Sequence, residues 1–222
     1  TSDFSLTGKS AVVTGVGDRG QLGFAIAEGL QQAGAAVCSF GLQDGDLTKE
    51  DDVARLIATA IERLGKIDIL VNVAGGLSVI KPLADTTHEE WERETTRNAE
   101  TVFLMSRAAL AALRATRGSI VNFASPAGFR AVANLGAYSA AKAGVIAVTR
   151  AFALEEAKNG VRANAIAPGM IDTEQNRKSV SDPASVKWVS REQISNVVVF
   201  LASDAAQGIT GETIEVLGEG IQ

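Results

Sequence analysis

Residues 10–34 read SAVVTGVGDRGQLGFAIAEGLQQAG, and this stretch decides the fold because a strand pattern passes through a glycine-rich turn into a helix pattern. The apolar run 10–14 predicts a buried strand, and residues 22–33 place apolar side chains at helical spacing. Gly34 is suited to the left-handed position that ends a helix. The turn between them contains Gly15, Gly17, Gly20 and Gly23. Such a turn lets the backbone and a helix N-terminus approach a phosphate, so it predicts a nucleotide site, although a tight strand-to-helix connection is the competing interpretation.

The same alternation of short apolar runs and amphipathic segments continues along the chain. Further strands are predicted at 35–40, 67–73, 119–124, 161–167 and 213–217. Further helices are predicted at 48–64 with Thr48 as N-cap, at 87–116 with a bend, at 136–158, and at 194–202 after a cap at Ser190. This order predicts an α/β fold, a Rossmann-type doubly wound parallel sheet with helices on both faces, in a single domain over residues 1–222.

Composition excludes several classes of function. The chain has 222 residues, 46% of them hydrophobic, and a net charge of -5 with its Lys and Arg scattered, which argues against a nucleic-acid or membrane surface. The single cysteine, Cys38, excludes an internal disulfide, and with the single histidine, His88, it leaves too few soft ligands for zinc. His88 reads as a solvated residue in the first turn of its helix. Residues 1–6 have no signal-peptide pattern. We therefore expect a cytoplasmic protein with no metal, no nucleic-acid partner and no membrane segment.

Tyr138 and Lys142 lie four residues apart in a predicted helix and therefore share one helix face. A nearby ammonium favours the phenolate and predicts a lowered tyrosine pKa, which would let Tyr138 exchange protons near neutral pH. Upstream, a predicted strand ends at Ser125, which places a hydroxyl at the mouth of the sheet. The competing interpretation is a solvated Tyr–Lys pair that occurs by chance.

Four elements occur together and in order. They are the glycine turn, Asn72-Val73-Ala74-Gly75 after a buried strand, Ser125 ahead of Tyr138-x-x-x-Lys142, and Pro168-Gly169 after a later strand. In combination they resemble the classical short-chain dehydrogenase/reductase family, and the resemblance runs from Leu6 to Gly220. It implies an NAD(P)-dependent enzyme that transfers a hydride between nicotinamide and a ketone or secondary alcohol.

The resemblance implies a role for each catalytic position. Tyr138 is similar to the catalytic acid/base, and Ser125 to the hydroxyl that polarises the substrate carbonyl. Lys142 is similar to the residue that lowers the tyrosine pKa and binds the nicotinamide ribose. Asn98 falls where the family keeps an asparagine that holds a proton-relay water, and its spacing of 27 residues to Ser125, followed by 13 to Tyr138, matches the family pattern.

The resemblance also implies a cofactor site. Beyond Tyr138 and Lys142, the positions that match the family's cofactor residues are Gly15, Gly17, Arg19, Gly20, Gly23, Asp46, Asn72, Ala74, Gly75, Pro168, Gly169 and Thr173. Asp46 would meet the adenine, and Thr173 the carboxamide. The chain departs from the family pattern at Gln21, which stands where a glycine is usual, at Val73, and in residues 216–220, which lack an aspartate often found there.

The cofactor is predicted to be NADP, with NAD possible. Residues 40–42, at the end of the second strand, contain no acid to accept the ribose hydroxyls of NAD. Arg19 stands where a family member that uses NADP often keeps a basic residue, and we expect it to pair with the 2'-phosphate. Asp44 is the alternative determinant if NAD binds more tightly.

Three functions are compatible with these residues. Hydride transfer to a small-molecule carbonyl is favoured, with a 3-oxoacyl reductase and a sugar or polyol dehydrogenase equally open. A non-catalytic nucleotide-sensing protein of the same fold is the alternative, and retention of all four catalytic positions argues against it. An enoyl reductase is disfavoured because its tyrosine and lysine would lie further apart than one helical turn.

Two further expectations concern assembly and the substrate side. Residues 174–190 are polar and predict a mobile substrate lid. The resemblance implies a homo-oligomer, a tetramer or a dimer, and the small-residue face formed by Ala140, Ala143, Gly144 and Ala147 would permit close approach of a partner helix. Burial of that face within the subunit explains the pattern equally well.

The segment after the second predicted strand is shorter than the family resemblance implies. In the family the residue that matches Asp46 follows a third strand, whereas here only residues 41–45 separate it from Phe40. Two parallel neighbours need a connection of a dozen or more residues. We therefore predict that residues are missing between Phe40 and Asp46, and again between Thr173 and Ser190, with adjacent Cα atoms much further apart than about 3.8 Å. The alternative is a sheet that lacks this edge strand.

Overall fold

A computed structural model describes residues 4–218, and the positions predicted on residues 1–3 and 219–222 lie outside the described part. Six parallel strands form one sheet in the order β2-β1-β3-β4-β5-β6. The strands are β1 (Ser10–Thr14), β2 (Ala36–Phe40), β3 (Ile69–Asn72), β4 (Ser119–Phe123), β5 (Arg162–Pro168) and β6 (Thr213–Val216). The predicted doubly wound parallel sheet is confirmed.

Seven α-helices are present among the described residues. They are α1 (Leu22–Gln32), α2 (Glu50–Leu64), α3 (His88–Thr95), α4 (Thr101–Thr116), α5 (Gly136–Glu156), α6 (Glu174–Ser179) and α7 (Arg191–Ala202). Capping boxes begin α3 at Thr87 and α7 at Ser190, and left-handed Gly65 ends α2. His88 is 81% exposed, as predicted for a residue of the first turn. No helix in the described chain is long and apolar enough to cross a membrane.

The alternating side chains of the strands supply two apolar layers, because successive residues point to opposite faces. On one face α1 and α7 pack on Val13 and its layer, and on the other α2, α4 and α5 pack on Val12 and its layer. The four inner strands, β1, β3, β4 and β5, are buried on both faces, as is usual for a parallel sheet covered by helices. The carboxyl ends of all six strands therefore meet at one edge, which carries the site.

Residues 41–45 follow β2 in a hydrogen-bonded turn, which fits the alternative of a sheet that lacks this edge strand, and the predicted missing segment stays a prediction. The Asp44 N–H donates to the Gly41 carbonyl at 3.1 Å, and the Gly41 N–H donates to Asp44 Oδ2 at 2.7 Å. Beyond Thr173, α6 follows directly, with the Arg177 N–H donating to the Thr173 carbonyl at 2.9 Å. Both segments form hydrogen-bonded local structure. Among the described residues β2 is the edge of the sheet, and no strand pairs with its outer side.

One helix start also differs from its prediction. Thr48 does not cap α2, because the N-cap is Lys49 and the Thr48 hydroxyl instead donates to Asp46 Oδ1 at 2.7 Å. Three acidic residues occupy the first turn of α2, where they stabilise the positive end of its dipole. The aspartate before the helix thus competed successfully for the threonine side chain.

A buried chain of side-chain hydrogen bonds crosses the sheet between α4 and α5. Asn72 Nδ2 donates to Ser106 Oγ at 3.1 Å and to Asn122 Oδ1 at 2.8 Å. Asn122 Nδ2 donates to Thr149 Oγ1 at 2.9 Å, and Thr149 donates to the Val145 carbonyl at 2.7 Å. This polar ladder links β3, β4 and α5 inside an otherwise apolar layer.

Candidate active site

Ser125 lies just beyond the carboxyl end of β4, where it begins a short 3₁₀ turn over Pro126–Gly128. Its hydroxyl accepts the Ala127 N–H at 3.2 Å and lies near enough to the Tyr138 phenol to influence the pKa of that group. The predicted convergence of Ser125 and Tyr138 is therefore present. The short turn holds the serine in a defined position. Its hydroxyl is therefore preorganised to bind a polar atom of the substrate.

Tyr138 stands in the first turn of α5, and its pKa is raised above the usual value. Burial is the main cause, the nearby Ser125 side chain opposes it, and the charge of Glu94 adds to it. The predicted lowering by Lys142 is wrong for this structure. The Lys142 ammonium donates to the Phe123 carbonyl at 2.7 Å and lies 5.7 Å from the centroid of the Tyr138 ring, so its charge is partly satisfied elsewhere.

Lys142 is a deeply buried charged group of the site, with 4% of its surface exposed. Burial lowers its pKa to about 8, Glu94 opposes that shift and Arg97 adds to it. The ammonium is therefore lost as the pH rises through about 8. Helical spacing brings Lys142 to the Tyr138 side of α5, and β4 supplies the carbonyl that orients its amine.

Asn98 lies in a π-helical segment, Thr96–Glu100, that forms the predicted bend between α3 and α4. Its Oδ1 accepts the Gly76 N–H at 2.9 Å, and its Nδ2 donates to the Gly76 and Glu94 carbonyls at 3.1 and 2.9 Å. The asparagine side chain thus ties the bend to the loop after β3. Its predicted role as the holder of a relay water stays a prediction.

Glu94 is a buried carboxylate that the sequence analysis did not single out. Glu94 Oε2 accepts the Ser78 hydroxyl at 2.5 Å and its N–H at 3.1 Å, and Glu94 also affects the pKa of Tyr138 and of Lys142. It precedes Asn98 by one helical turn. The sequence offered one signal for Glu94, which is its position four residues before Asn98 on the same side of a helix.

The glycine turn fits the close approach of a phosphate. Gly15 has φ +71°, and a Cβ there would lie 2.6 Å from the Ala74 nitrogen. A Cβ at Gly23 would lie 2.3 Å from the Gly15 carbonyl, so these two positions require glycine. Gln21 folds over Gly17, while space is open around Gly20. The individual phosphate contacts of Gly17 and Gly20 stay predictions.

A cavity of about 410 Å³ opens beside this turn at the point where the strand order reverses between β1 and β3. Its walls include the predicted cofactor residues Gly15, Asp46, Ala74 and Gly75. Asp46 accepts the Thr48 N–H and hydroxyl, which lower its pKa. The cavity therefore has the position expected for the adenosine half of a dinucleotide.

Arg19 does not lie among the residues of that cavity. Its guanidinium is 5.8 Å from the centroid of the Phe24 ring, and its carbonyl accepts Arg191 Nη1 at 3.0 Å. Asp44, the alternative determinant, is turned onto the Gly41 N–H and is also outside the cavity. Two arginines that the sequence analysis overlooked, Arg93 and Arg97, line it instead.

The remaining predicted residues lie past β5. Pro168 ends that strand, and the Gly169 N–H donates to the Val216 carbonyl at 2.9 Å. Thr173 caps α6, where its Oγ1 accepts the Asn176 N–H at 3.2 Å. Asn72 projects into the polar ladder and is not among the residues that line the cavity, so its predicted part in cofactor binding stays a prediction.

Comparison with known proteins gives a consistent group of relatives. A family model described as Enoyl-(Acyl carrier protein) reductase matches residues 42–218. The 2-dehydro-3-deoxy-D-gluconate 5-dehydrogenase of Escherichia coli (strain K12) is 35% identical, over 98% of this chain and 97% of the relative. The 3-oxoacyl-(acyl-carrier-protein) reductase FabG of Vibrio harveyi is 34% identical, over 96% of this chain and 98% of the relative.

Solved structures agree with these relatives. A 7α-hydroxysteroid dehydrogenase in complex with NADH and 7-oxo glycochenodeoxycholic acid superposes with a TM-score of 0.89 and 28% identity, covering 100% of this chain and 98% of that one. The alignment with the Escherichia coli relative spans 249 positions, more than the 222 residues of this chain, so at least 27 positions have no counterpart here. This shortening agrees with the absent edge strand.

Proposed function

This chain belongs to the classical short-chain dehydrogenase/reductase family, and from that premise we propose that Tyr138, Ser125 and Lys142 carry its chemistry. The protein is an NAD(P)-dependent oxidoreductase that interconverts a ketone and an alcohol. The observation that supports these roles best is the proximity of the Ser125 hydroxyl to the largely enclosed Tyr138 phenol, one helical turn from Lys142.

In the direction of reduction, Ser125 and Tyr138 donate hydrogen bonds to the carbonyl oxygen of the substrate. Bound nicotinamide supplies the hydride chemistry. Tyr138 transfers its phenolic proton to the oxygen as negative charge develops there, and Ser125 keeps that oxygen in place. Lys142, held by the Phe123 carbonyl, places a positive charge beside the phenol and would bind the nicotinamide ribose. Asn98 would hold the water that returns the proton from solvent.

The pH dependence of reduction tests these roles. The raised pKa of Tyr138 keeps its proton in place through neutral pH, whereas Lys142 loses its charge above about 8. We expect kcat/KM for ketone reduction to be level between about pH 6 and 7.5 and to fall above about 8, because this parameter follows the free enzyme. Initial rates across this range measure it. A rise in kcat/KM between pH 8 and 9.5 would contradict the role of Lys142.

The cofactor is proposed to be NADP in preference to NAD. Support comes from the end of β2, where residues 40–42 offer no acid and Asp44 is committed to the Gly41 N–H. Titration of both nucleotides should give tighter binding of NADP by at least about tenfold, since a charge-assisted contact to the extra phosphate contributes about 1.5–3 kcal/mol. Equal or tighter binding of NAD would refute the preference and return Asp44 to consideration.

The substrate is proposed to be a small-molecule ketone, either a 3-oxoacyl thioester or a keto derivative of a sugar acid. The names of two relatives support one class each. Enoyl reduction is supported by the description of the family model, but the single turn between Tyr138 and Lys142 disfavours it. Oxidation of NADPH with a 3-oxoacyl thioester, a keto sugar acid and an enoyl thioester as separate substrates distinguishes the three.

Residues 174–190 are proposed to form a movable substrate lid. The ends of the segment are fixed by a bridge between Ile171 and Val189, and its body is held by local contacts such as the Arg177–Asp172 and Lys178–Glu174 ion pairs. Few apolar side chains of the segment are buried. A segment with fixed ends and little buried surface opens at low cost in free energy.

A homo-oligomer, either a tetramer or a dimer, is also proposed. Ala140, Ala143 and Ala147 lie exposed along α5, so burial within the subunit does not explain the small-residue face. A reducing cytoplasm is the proposed location, because the single cysteine, Cys38, is a buried free thiol.

A further inference from the structure

Two arginines face the adenosine side of the cofactor cavity. Arg93 is on the last turn of α3 and Arg97 follows four residues later in the π-helical segment, so both lie on one side of this bend. Both line the cavity of about 410 Å³ together with Gly15, Gly41 and Gly75. Arg97 Nη2 would be 3.7 Å from a Cβ at Gly76, which places its guanidinium beside the loop that follows β3.

Neither guanidinium has an ion-pair or hydrogen-bond partner within residues 4–218, although most arginines of the described chain do. Arg55, Arg107, Arg114, Arg130 and Arg177 all pair with carboxylates. Glu89 and Glu100 lie at helical spacing from Arg93 and Arg97, yet neither forms a pair with them. Arg97 is half-buried. Arg93 is exposed, so both guanidinium groups are free to pair with an anion that enters the cavity.

The charges around the cavity favour an anion. Asp46 is the only acid among the described residues of its wall, and Thr48 already donates two hydrogen bonds to that carboxylate. Glu94, which lies between the two arginines in sequence, is directed to Ser78 and Asn98. The buried Lys142 has a pKa lowered first by burial and further by the charge of Arg97, so the arginine charge extends toward the catalytic side.

We propose that Arg93 and Arg97 bind the 2'-phosphate of NADP at the adenosine end of the cavity. The inference rests on the proposed preference for NADP and assigns that preference to residues other than Arg19, which lies over Phe24 outside the cavity. Arginine presents several N–H donors in a fixed planar arrangement, which suits a phosphate dianion. The absent edge strand leaves Gly41 and Leu42 as the opposite wall, and neither side chain can pair with that phosphate.

The test compares binding of NADP, NAD, 2',5'-ADP and 5'-AMP by isothermal titration calorimetry. The variants are Arg97→Gln, Arg93→Gln and their combination, with Arg19→Gln as the competing site. Arg150→Gln is the matched control, because Arg150 is exposed on α5 and its replacement removes the same charge away from the cavity. Melting temperatures establish that each variant is folded.

In the double variant we expect affinity for NADP to fall about 10- to 100-fold while affinity for NAD changes less than about twofold. The tighter binding of 2',5'-ADP than of 5'-AMP should disappear in the same variant. Arg97→Lys, which keeps the charge, should retain more of this difference than Arg97→Gln does. Arg19→Gln and Arg150→Gln should leave the preference unchanged.

Other outcomes would overturn the inference in distinguishable ways. Equal losses for NADP and NAD would place the arginines at the pyrophosphate instead. A preference that survives in the double variant, or that disappears in Arg19→Gln, would refute the assignment while the preference for NADP stands. A wild-type protein that binds NAD at least as tightly as NADP would refute the proposed cofactor preference itself.

Discussion

Tyr138→Phe should lower kcat for ketone reduction by about 10²- to 10⁴-fold, the range attributed to a positioned general acid. Phenylalanine fills the same buried volume but lacks the proton that the substrate oxygen receives. The folded state loses at most the interaction of the phenol with Ser125, and a full hydrogen bond there would contribute only about 0.5–1.5 kcal/mol. We therefore expect the melting temperature to fall by only a few degrees, about 2–4 °C per kcal/mol for a chain of this size. Steady-state kinetics and thermal unfolding measure the two effects.

The adjacent residue offers a matched control. Ser139 is also on α5 and buried, and its hydroxyl has no hydrogen-bond partner within the described protein. Ser139→Ala removes a buried hydroxyl one residue away from the proposed acid, so activity should stay near the wild-type value. Retention of more than a few per cent of wild-type turnover by Tyr138→Phe would eliminate Tyr138 as the acid/base.

Lys142→Met should cause the second largest loss, and it should affect cofactor binding as well as turnover. Methionine keeps the apolar stem of the buried side chain but removes the ammonium and leaves the Phe123 carbonyl without its donor. We expect kcat/KM to fall by about 10²-fold or more, and affinity for the nucleotide to fall in the same variant. The decline in activity above about pH 8 should also disappear, because the titrating group is gone.

The combination of readouts separates a catalytic role from a structural one. Lys142→Arg retains the charge and should keep nucleotide affinity closer to wild type than Lys142→Met does. If Lys142→Met bound nucleotide normally and kept the decline above pH 8, the lysine would be a structural residue that holds β4 against α5. Calorimetric titration and the pH profile of residual activity decide between these cases.

The fold was largely predictable because its elements obey local rules. The run 10–14 became a strand at those residues, and Gly34 and Gly65 took the left-handed conformation at helix ends. The capping boxes at Thr87 and Ser190 likewise formed as predicted. Thr48 failed as a cap because Asp46 binds its hydroxyl. That contact depends on how the turn folds back, which the sequence pattern does not encode.

The site was predictable where chemistry and spacing coincide, and less so where the outcome depends on desolvation. Ser125 and Tyr138 meet as expected. The direction of the Tyr138 pKa was wrong, because the sequence indicated the nearby lysine but not the depth of burial. Glu94, Arg93 and Arg97 were missed because charged residues on a helix usually face solvent, whereas here Glu94 is buried and both arginines line the cavity. A short turn after Phe40 is possible because the rule for connecting parallel neighbours does not apply when the neighbouring strand is absent.

The polar ladder from Ser106 through Asn72 and Asn122 to Thr149 has a consequence for how this scaffold tolerates change. Asn122 is on β4, three residues before Ser125, and Thr149 lies three turns beyond Tyr138 on the same helix. Apolar contacts allow a helix to slide or rotate slightly on a sheet. The hydrogen bond between Asn122 and Thr149, at 2.9 Å, fixes one alignment of α5 on β4. The relative position of Ser125 and Tyr138 is therefore set partly by a hydrogen bond that lies outside the reaction centre. Loops at the mouth of the sheet can then diverge toward new substrates without disturbing the reacting groups.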